Sequence, residues 1–495
     1  MKLLCPASLL FLTTALLASE RPNFLFIFAD DQSYEAIAAH GNEEVYTPNL
    51  DRLAESGVSF MNAYNMGGWT GAVCVPARTM MVTGRTVWRA RDSEAHLDEY
   101  AKREELWPQL LGQAGYETYF TGKWHVKVEP EAVFDHQVNE RPGMPLDSWI
   151  SMLHAGGSPT LESIRSFPDY NRPMKNEPDA WSPYARSFGG FWEGGKHWSE
   201  VLTDDATAFL EHASASDKPF FMYLAFNAPH DPRQSPKRFV DMYPVEQIKV
   251  PASYLPEYPY KDAIGCTPLL RDEALAPFPR TEYAVKVHRQ EYYAIITHMD
   301  EQIGHILEAL EKTGKRDNTY IVFAADHGLA CGNHGFLGKQ NMYDHSMKVP
   351  LIVVGPDVPE NEKREALVYL QDIMATTLDL AGMDKPAYVE FNSLMPLIAN
   401  PQAKSAYDAI YGCYLATKQR MIRVGDMKLI VYPEAKRIRL FNLRLDPQEI
   451  DDLSSNPAEW PTVHHLFAKL IEKQEQMADD LDLLAFFPEL TESIP

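Results

Sequence analysis

Two apolar runs that end in acidic pairs constrain this chain more than any other feature of it. FLFIFA (24–29) runs into Asp30-Asp31, and TYIVFAA (319–325) runs into Asp326-His327. An apolar strand without polar alternation is buried on both faces, which calls for a parallel sheet with helices on each side. Ligands of such open sheets bind beyond the carboxyl ends of the strands. Two ends bearing Asp, Asp, Asp and His predict one divalent-metal site. Three carboxylates with few nitrogens suit a hard cation, calcium before magnesium, better than zinc. Asp at a strand end is also an ordinary turn residue or helix cap, so the weight lies on the two pairs together.

Strand and helix alternate along most of the chain. TPNLDRLAESG (47–57) predicts a helix with Thr47 as N-cap, Pro48 first, Leu50, Leu53 and Ala54 inward and Gly57 as its stop. VSFMNAY follows as a strand, and WPQLLGQAGYETYFTGKWH (107–125) gives a helix, a turn at Gly115 and a strand into Lys123. PFFMYLAFNAPH (219–230) is a strand ending at His230, and LIVVGP (351–356) is another. A long amphipathic helix between them carries Ile295, Met299, Ile303, Ile306 and Leu310 on one face and closes at Gly314. Residues 131–200 and 250–280 lack periodicity and read as long functional loops. Past Gly382 the pattern becomes antiparallel strands and a final helix. The expected fold class is α/β: a large domain (20–384) with a mostly parallel central sheet between helices, and a smaller C-terminal α+β domain (385–495) with an antiparallel sheet.

MKLLCPASLLFLTTALLAS, residues 1–19, combines Lys2, an apolar run and a small-residue exit, and reads as a secretory signal peptide. Pro6, Ser8, Thr13 and Thr14 interrupt it too often for a membrane span, and no later run is long enough. The expectation is an exported protein, periplasmic or secreted. Beyond the signal, Cys74, Cys266, Cys331 and Cys413 are too few and too scattered for a disulfide scaffold, and no C-x-x-C pair suggests zinc. A net charge of −23 argues against nucleic acid as a partner. An anionic substrate must then be met by a local cluster of cations and a metal.

Candidates for that cluster stand at strand ends: Lys123 and His125 in GKWH, His230 in NAPH and Lys339 in HGFLGK. Together with CVPARTMMVTGR (74–85) they carry a family resemblance. The stretch resembles the C-x-P-x-R…T-G-R signature of the formylglycine-dependent sulfatases. FLFIFADDQ, TPNLDRLAESGVSF, GYETYFTGKWH, FNAPHDP, FAADHGLACGNHGFLGKQNMYDHSMKVPLIVVGP and FNLRLDPQEIDDL resemble that family's other landmarks, in order.

The resemblance implies an alkaline phosphatase-like fold and a sulfuric ester hydrolase. It implies that a maturation enzyme oxidises Cys74 to Cα-formylglycine, whose hydrate attacks sulfur with one hydroxyl and expels sulfate with the other. One calcium ion would be held by Asp30, Asp31, Asp326 and His327 and would touch the oxygen at Cys74. Arg78 and Lys123 would hold the hydrate, His125 would be the base that regenerates the aldehyde, and His230 and Lys339 would bind sulfate and protonate the leaving oxygen. Arg85 would brace the helix. Ala77, GKWHV and His327 depart from the commonest family residues.

A sulfated carbohydrate is the expected substrate, with galactose or N-acetylgalactosamine sulfate the favoured sugars. Trp88, Arg89, His197 and Arg233 are the expected substrate rim, since aromatic platforms with scattered polar groups suit a sugar ring. A phosphate or phosphonate monoester hydrolase of the same superfamily, an inactive sulfated-glycan-binding protein and a plain thiol hydrolase are the competing expectations. The chain gives no sign of its oligomeric state.

Overall fold

The computed structural model describes residues 21–174 and 181–493, so the expected signal segment lies outside the described residues. Eight strands form the main sheet: β1 (Asn23–Asp30), β2 (Val58–Tyr64), β3 (Glu117–Lys123), β4 (His136–Arg141), β5 (Phe220–Pro229), β6 (Thr319–Ala325), β7 (Leu351–Val354) and β8 (Glu362–Tyr369). Their spatial order is β8-β2-β7-β6-β1-β5-β3-β4. β7 runs antiparallel to both of its neighbours, and every other pairing in the sheet is parallel. This is the expected α/β architecture.

The uninterrupted apolar run of β1 is explained by helices on both faces. Phe24, Phe26 and Phe28 enter one core with Trp107, Met81 and Met374. Leu25, Ile27 and Ala29 enter the opposite one, where the long helix places Ile295, Met299, Ile303, Ile306 and Leu310. Each of those five side chains is fully buried, and at roughly 25 cal/mol per Å² such stripes supply most of the drive to close the layers.

Helices used below are α1 (Pro48–Glu55), α2 (Cys74–Thr83), α3 (Ser148–His154), α4 (Trp198–Ser214), α5 (Glu282–Lys312) and α6 (Trp460–Met477). Thr47 precedes α1 as expected, but its hydroxyl donates to the Asp51 side chain and accepts from the Ala38 amide rather than capping a backbone N–H of the helix's first turn. Strands β9 (Ile410–Tyr414), β10 (Gln419–Val424), β11 (Met427–Tyr432) and β12 (Arg437–Asn442) form the antiparallel C-terminal sheet, against which α6 packs Val463, Leu466, Phe467 and Leu470. The two-residue strand Gly67–Gly68 pairs with β9, so the N-terminal part of the chain contributes to this sheet. Among the described residues no helix is long and apolar enough to cross a membrane.

Candidate active site

β1 lies at the sheet's switch point: the chain leaves it to build β2 on one side and β3 on the other. Register then gathers the functional side chains. Ala29 pairs with Ala325, which brings Asp30 level with Asp326, and Asp30 itself pairs with Pro229, just before His230. On the far side of β5, Gly122 pairs with Ala225 and delivers Lys123. At Gly122 φ is +97°, and a Cβ would stand 2.0 Å from the Ala225 carbonyl oxygen, so only glycine allows this approach.

α2 supplies Cys74 and Arg78 from one edge of this cluster. Met81 and Val82 face the main-sheet core and Met80 faces the C-terminal one, so the helix is clamped between them. Cys74 Sγ lies 3.3 Å from an Asp30 oxygen, 3.7 Å from one of Asp31 and 3.2 Å from Lys339 Nζ. Arg78 donates from Nε to Asp326 at 3.0 Å and from Nη1 to the Lys123 carbonyl at 2.6 Å. Lys123 bonds Asp30, and Lys339 pairs with Asp31. His230 Nδ1 bonds the Asp231 carbonyl at 2.7 Å and leaves Nε2 3.7 Å from Asp31. His125 sits at φ +57° with a buried Nδ1 that has no hydrogen-bond partner.

A helix N-terminus favours a thiolate. Here full burial, reinforced by Asp30 and Asp326, pushes the Cys74 thiol well above its ordinary value instead. Burial raises Asp30 to about 6 against the pull of Lys123, and raises Asp31 against that of Lys339. For Asp326 burial acts upward too, but Arg78 and then Lys123 hold it well below the usual carboxylate range. Burial and then Lys123 depress His125 to about 2, and burial and then Lys339 hold His230 neutral.

Ligand atoms of Asp30, Asp31, Cys74 and Asp326 all lie within 4.8 Å of one another, and the three carboxylates among them are the oxygen donors a hard cation takes. His327 stands outside that group: Nε2 bonds the Val73 carbonyl at 2.9 Å, while Nδ1 is buried without a partner, an atom a nearby cation would satisfy. Three carboxylates here meet three cations, Arg78, Lys123 and Lys339. The floor is neutral by count, and a divalent cation would leave it positive toward an anionic ester. The residues fit the expected metal.

The floor opens into a cavity of about 510 Å³, lined there by Cys74, His125, His230 and Lys339. None of the four expected rim residues lines it. Trp88 is buried with its indole N–H on the Tyr411 hydroxyl at 3.0 Å. Arg89 pairs with Glu390 and donates to the Gln476 carbonyl, tying the segment after α2 to the C-terminal helix. His197 is the N-cap of α4 and bonds the Gln234 carbonyl, and Arg233 is buried against His288. Each has structural partners elsewhere, which corrects the expected rim. The cysteines are free and buried, with no disulfide among the described residues.

Sequence reasoning missed the supports. Glu273 accepts from the Gly338 amide at 3.0 Å and from Leu337, holding the loop that presents Lys339. Gln340 bridges Asp272 and the Gly71 carbonyl, and Arg271 pairs with Asp231 beside His230. A Cβ on Gly143 would stand 2.5 Å from the His125 ring. All but Gln340 come from the two aperiodic segments or their partners, where no spacing announces a contact.

Fold and site define an α/β hydrolytic enzyme whose cysteine faces a carboxylate cluster that could hold a metal ion. Residues 22–383 match the family model described as Sulfatase, and 332–476 match N-sulphoglucosamine sulphohydrolase, C-terminal. The chain belongs to the sulfatase family and is a sulfuric ester hydrolase. It is 26% identical to an N-acetylglucosamine-6-O-sulfatase of Bacteroides thetaiotaomicron, over 94% of this chain and 88% of that one. It is 27% identical to an arylsulfatase of Clostridium perfringens, over 94% and 98%. A protein solved with its substrate D-glucosamine-2-N,6-O-disulfate superposes with a TM-score of 0.68 at 24% identity, covering 93% of this chain and 99% of that one. The phosphonate monoester hydrolase of Agrobacterium radiobacter gives 0.65 at 21%, covering 92% and 96%. The fold is alkaline phosphatase-like, as expected.

Proposed function

We propose that this chain hydrolyses a sulfate ester on a carbohydrate, with Cys74 converted to Cα-formylglycine and one calcium ion held at Asp30, Asp31 and Asp326, with His327 adjoining. The observation that carries this is the state of Cys74. It stands at the focus of the cluster, yet burial and two carboxylates keep its thiol protonated, so as a plain thiol it is a poor nucleophile. That also weighs against the thiol-hydrolase alternative. The carbohydrate substrate is supported by the similarity to an N-acetylglucosamine-6-O-sulfatase and to an ulvan-active sulfatase of Formosa agariphila, 26% identical over 93% of this chain and 82% of that one.

When present, the aldehyde hydrate supplies a nucleophilic hydroxyl and the cation polarises the sulfate. The chain's own residues do the rest. Arg78 and Lys123 are anchored by Asp326 and Asp30 and hold the charge that develops beside position 74. Lys339 and His230 bind the sulfate, and the Lys339 ammonium passes a proton to the leaving oxygen, since the neutral His230 already donates its Nδ1 proton to the Asp231 carbonyl. His125, whose buried Nδ1 has no hydrogen-bond partner, takes the proton that must leave for the aldehyde to return. We also assign residues 1–19 as an export signal, 20–384 as the catalytic part and 385–495 as a C-terminal part, with a formylglycine-generating enzyme as maturation partner.

The test is mass spectrometry of the tryptic peptide 53–78 from protein made in a host with a maturation enzyme, followed by turnover of matched sulfate and phosphate esters. An aldehyde or its hydrate at position 74, with sulfate preferred, is the expected result. An intact thiol in active protein overturns the mechanism, and preference for the phosphate ester overturns the substrate.

A further inference from the structure

Above the catalytic floor the cavity changes character. Met144, Leu146, Trp149, Ile150, Leu153 and Leu270 all line it. Trp149, Ile150 and Leu153 follow the spacing of one face of α3, and Leu146, just before its N-cap, lines the same cavity, so together they turn one apolar stripe toward the space above Cys74. An apolar stripe normally packs into a core. Here Leu146 is 62% and Leu153 45% exposed, so among the described residues the stripe's outer members are left uncovered.

The stripe is tied to the catalytic loop. Asp147 caps α3 by accepting from the Ile150 amide at 2.7 Å, and its other oxygen accepts from the Tyr170 hydroxyl. Arg271 Nη1 donates to that same hydroxyl at 3.2 Å, and Nη2 donates to Asp231, the neighbour of His230, at 3.0 Å. Trp149 and Tyr170 share a small buried cluster with Leu337, two residues before Lys339. Helix, arginine and the two leaving-group residues therefore form one connected unit, and the stripe is held at a set place relative to His230 and Lys339.

We propose that this stripe binds the alcohol side of the substrate, and that the substrate is an amphiphilic sulfate ester: its sulfate on the charged floor, and an apolar ring or chain against Leu146, Trp149, Ile150 and Leu153. This rests on the sulfate-ester chemistry proposed for the floor. A polar alcohol would leave the stripe wet, whereas an apolar substituent removes carbon surface from water on both partners. On a sulfated sugar, the group in that place is an apolar aglycone. Because the contact lies on the leaving-group side, it belongs to the complex that reacts and raises kcat/KM, and the released alcohol keeps the same contact until it departs.

The experiment uses the full chain with position 74 confirmed as aldehyde, and a series of 4-alkylphenyl sulfates from methyl to pentyl. The alkyl group lengthens while the acidity of the departing phenol stays nearly constant, so the chemical step is held fixed. We expect kcat/KM to rise about two- to fourfold per added methylene until the cavity fills, and the free 4-alkylphenols to compete with the same dependence on length. In the doubly substituted variant Leu146→Ser, Leu153→Ser the dependence should flatten. Both positions are exposed, and the series on the parent chain is decisive even if that variant folds poorly. Turnover of the series with a flat or falling dependence on length overturns the proposal and leaves the sulfate-ester reading standing. Failure of aldehyde-bearing protein to cleave any sulfate ester, these and sulfated sugars alike, overturns both.

Discussion

Glu273→Gln should weaken the fold and the active site together. Glu273 and Arg280 pair with both side chains essentially inaccessible to water. Burial outweighs the pairing for each of them, pushing the Glu273 carboxyl up and the Arg280 guanidinium down. The pair therefore returns little net stability as a pair. Breaking it is costly, because an uncompensated buried charge remains: ~3–5 kcal/mol for a buried ion pair that loses one partner. That is a large share of the roughly 5–15 kcal/mol by which proteins are stable. Glu273 also accepts from the Leu337 and Gly338 amides, immediately before Lys339, whose Nζ stands 3.2 Å from Cys74 Sγ. A displacement of that loop by about 1 Å would lower kcat/KM about a hundredfold. The assay is urea unfolding followed by the fluorescence of the nine tryptophans, alongside sulfate-ester kinetics. Arg280→Met alone should cost a similar amount, whereas Glu273→Gln with Arg280→Met should cost much less than the two singles together, giving a coupling energy of several kcal/mol in a double-mutant cycle. Glu273→Gln within about 1 kcal/mol of the parent, and fully active, would refute the reasoning.

Gly143→Ala places a methyl against the His125 imidazole, which no hydrogen bond at Nδ1 holds in place, so kcat should fall at least about tenfold while stability changes by under ~1 kcal/mol; unchanged kcat would show that the ring has room. Burial alone would raise Asp479, but Arg420, bonded to it at 2.6 and 2.7 Å, holds it below its ordinary 3.8. A depressed carboxylate contributes stability above its unfolded value and loses it as pH falls through the folded one. Asp479→Asn should thus cost ~3 kcal/mol at neutral pH, with the difference shrinking in unfolding curves taken below pH 3.8. Chelation of divalent cations should lower both turnover and melting temperature, and calcium should restore them, with ~2.7 kcal/mol regained at a hundred times Kd; indifference of both to chelator would remove the metal from the site.

Much of the carboxylate and cation cluster was legible because Asp30, Asp31, Lys123, His230 and Asp326 end or directly follow strands, whereas Cys74 and Arg78 stand on α2 and Lys339 on a loop. FLFIFA and TYIVFAA must be buried on both faces, and a parallel register then places whatever follows them at one end of the sheet. The main-sheet edges were not legible. β4, HQVNER, is mostly polar and partly exposed, since an edge strand needs neither two apolar faces nor a clean alternation. The expected rim failed for a different reason. Trp88, Arg89, His197 and Arg233 were placed by their proximity in sequence to the signature or to irregular loops, while their partners are fixed by the fold. Arg89 meets Glu390, 301 residues away, and Trp88 meets Tyr411, 323 residues away. His197 had a local signal, Glu200 three positions on, which completes a capping box with a residue type rarely used as N-cap.

The charge balance joins the two scales of the molecule. A chain with a net charge of −23 repels anions at long range, yet its site is to receive a sulfate ester. The floor resolves this by being neutral by count within its own buried cluster, with each carboxylate held to a named cation. Field lines from the acidic surface are screened over about 10 Å at ordinary ionic strength, whereas the buried pairs are screened much less. A single divalent cation would then be enough to make the floor positive, and the apolar stripe above it contributes attraction that does not depend on charge. Salt should therefore alter the rate of substrate entry more than it alters kcat.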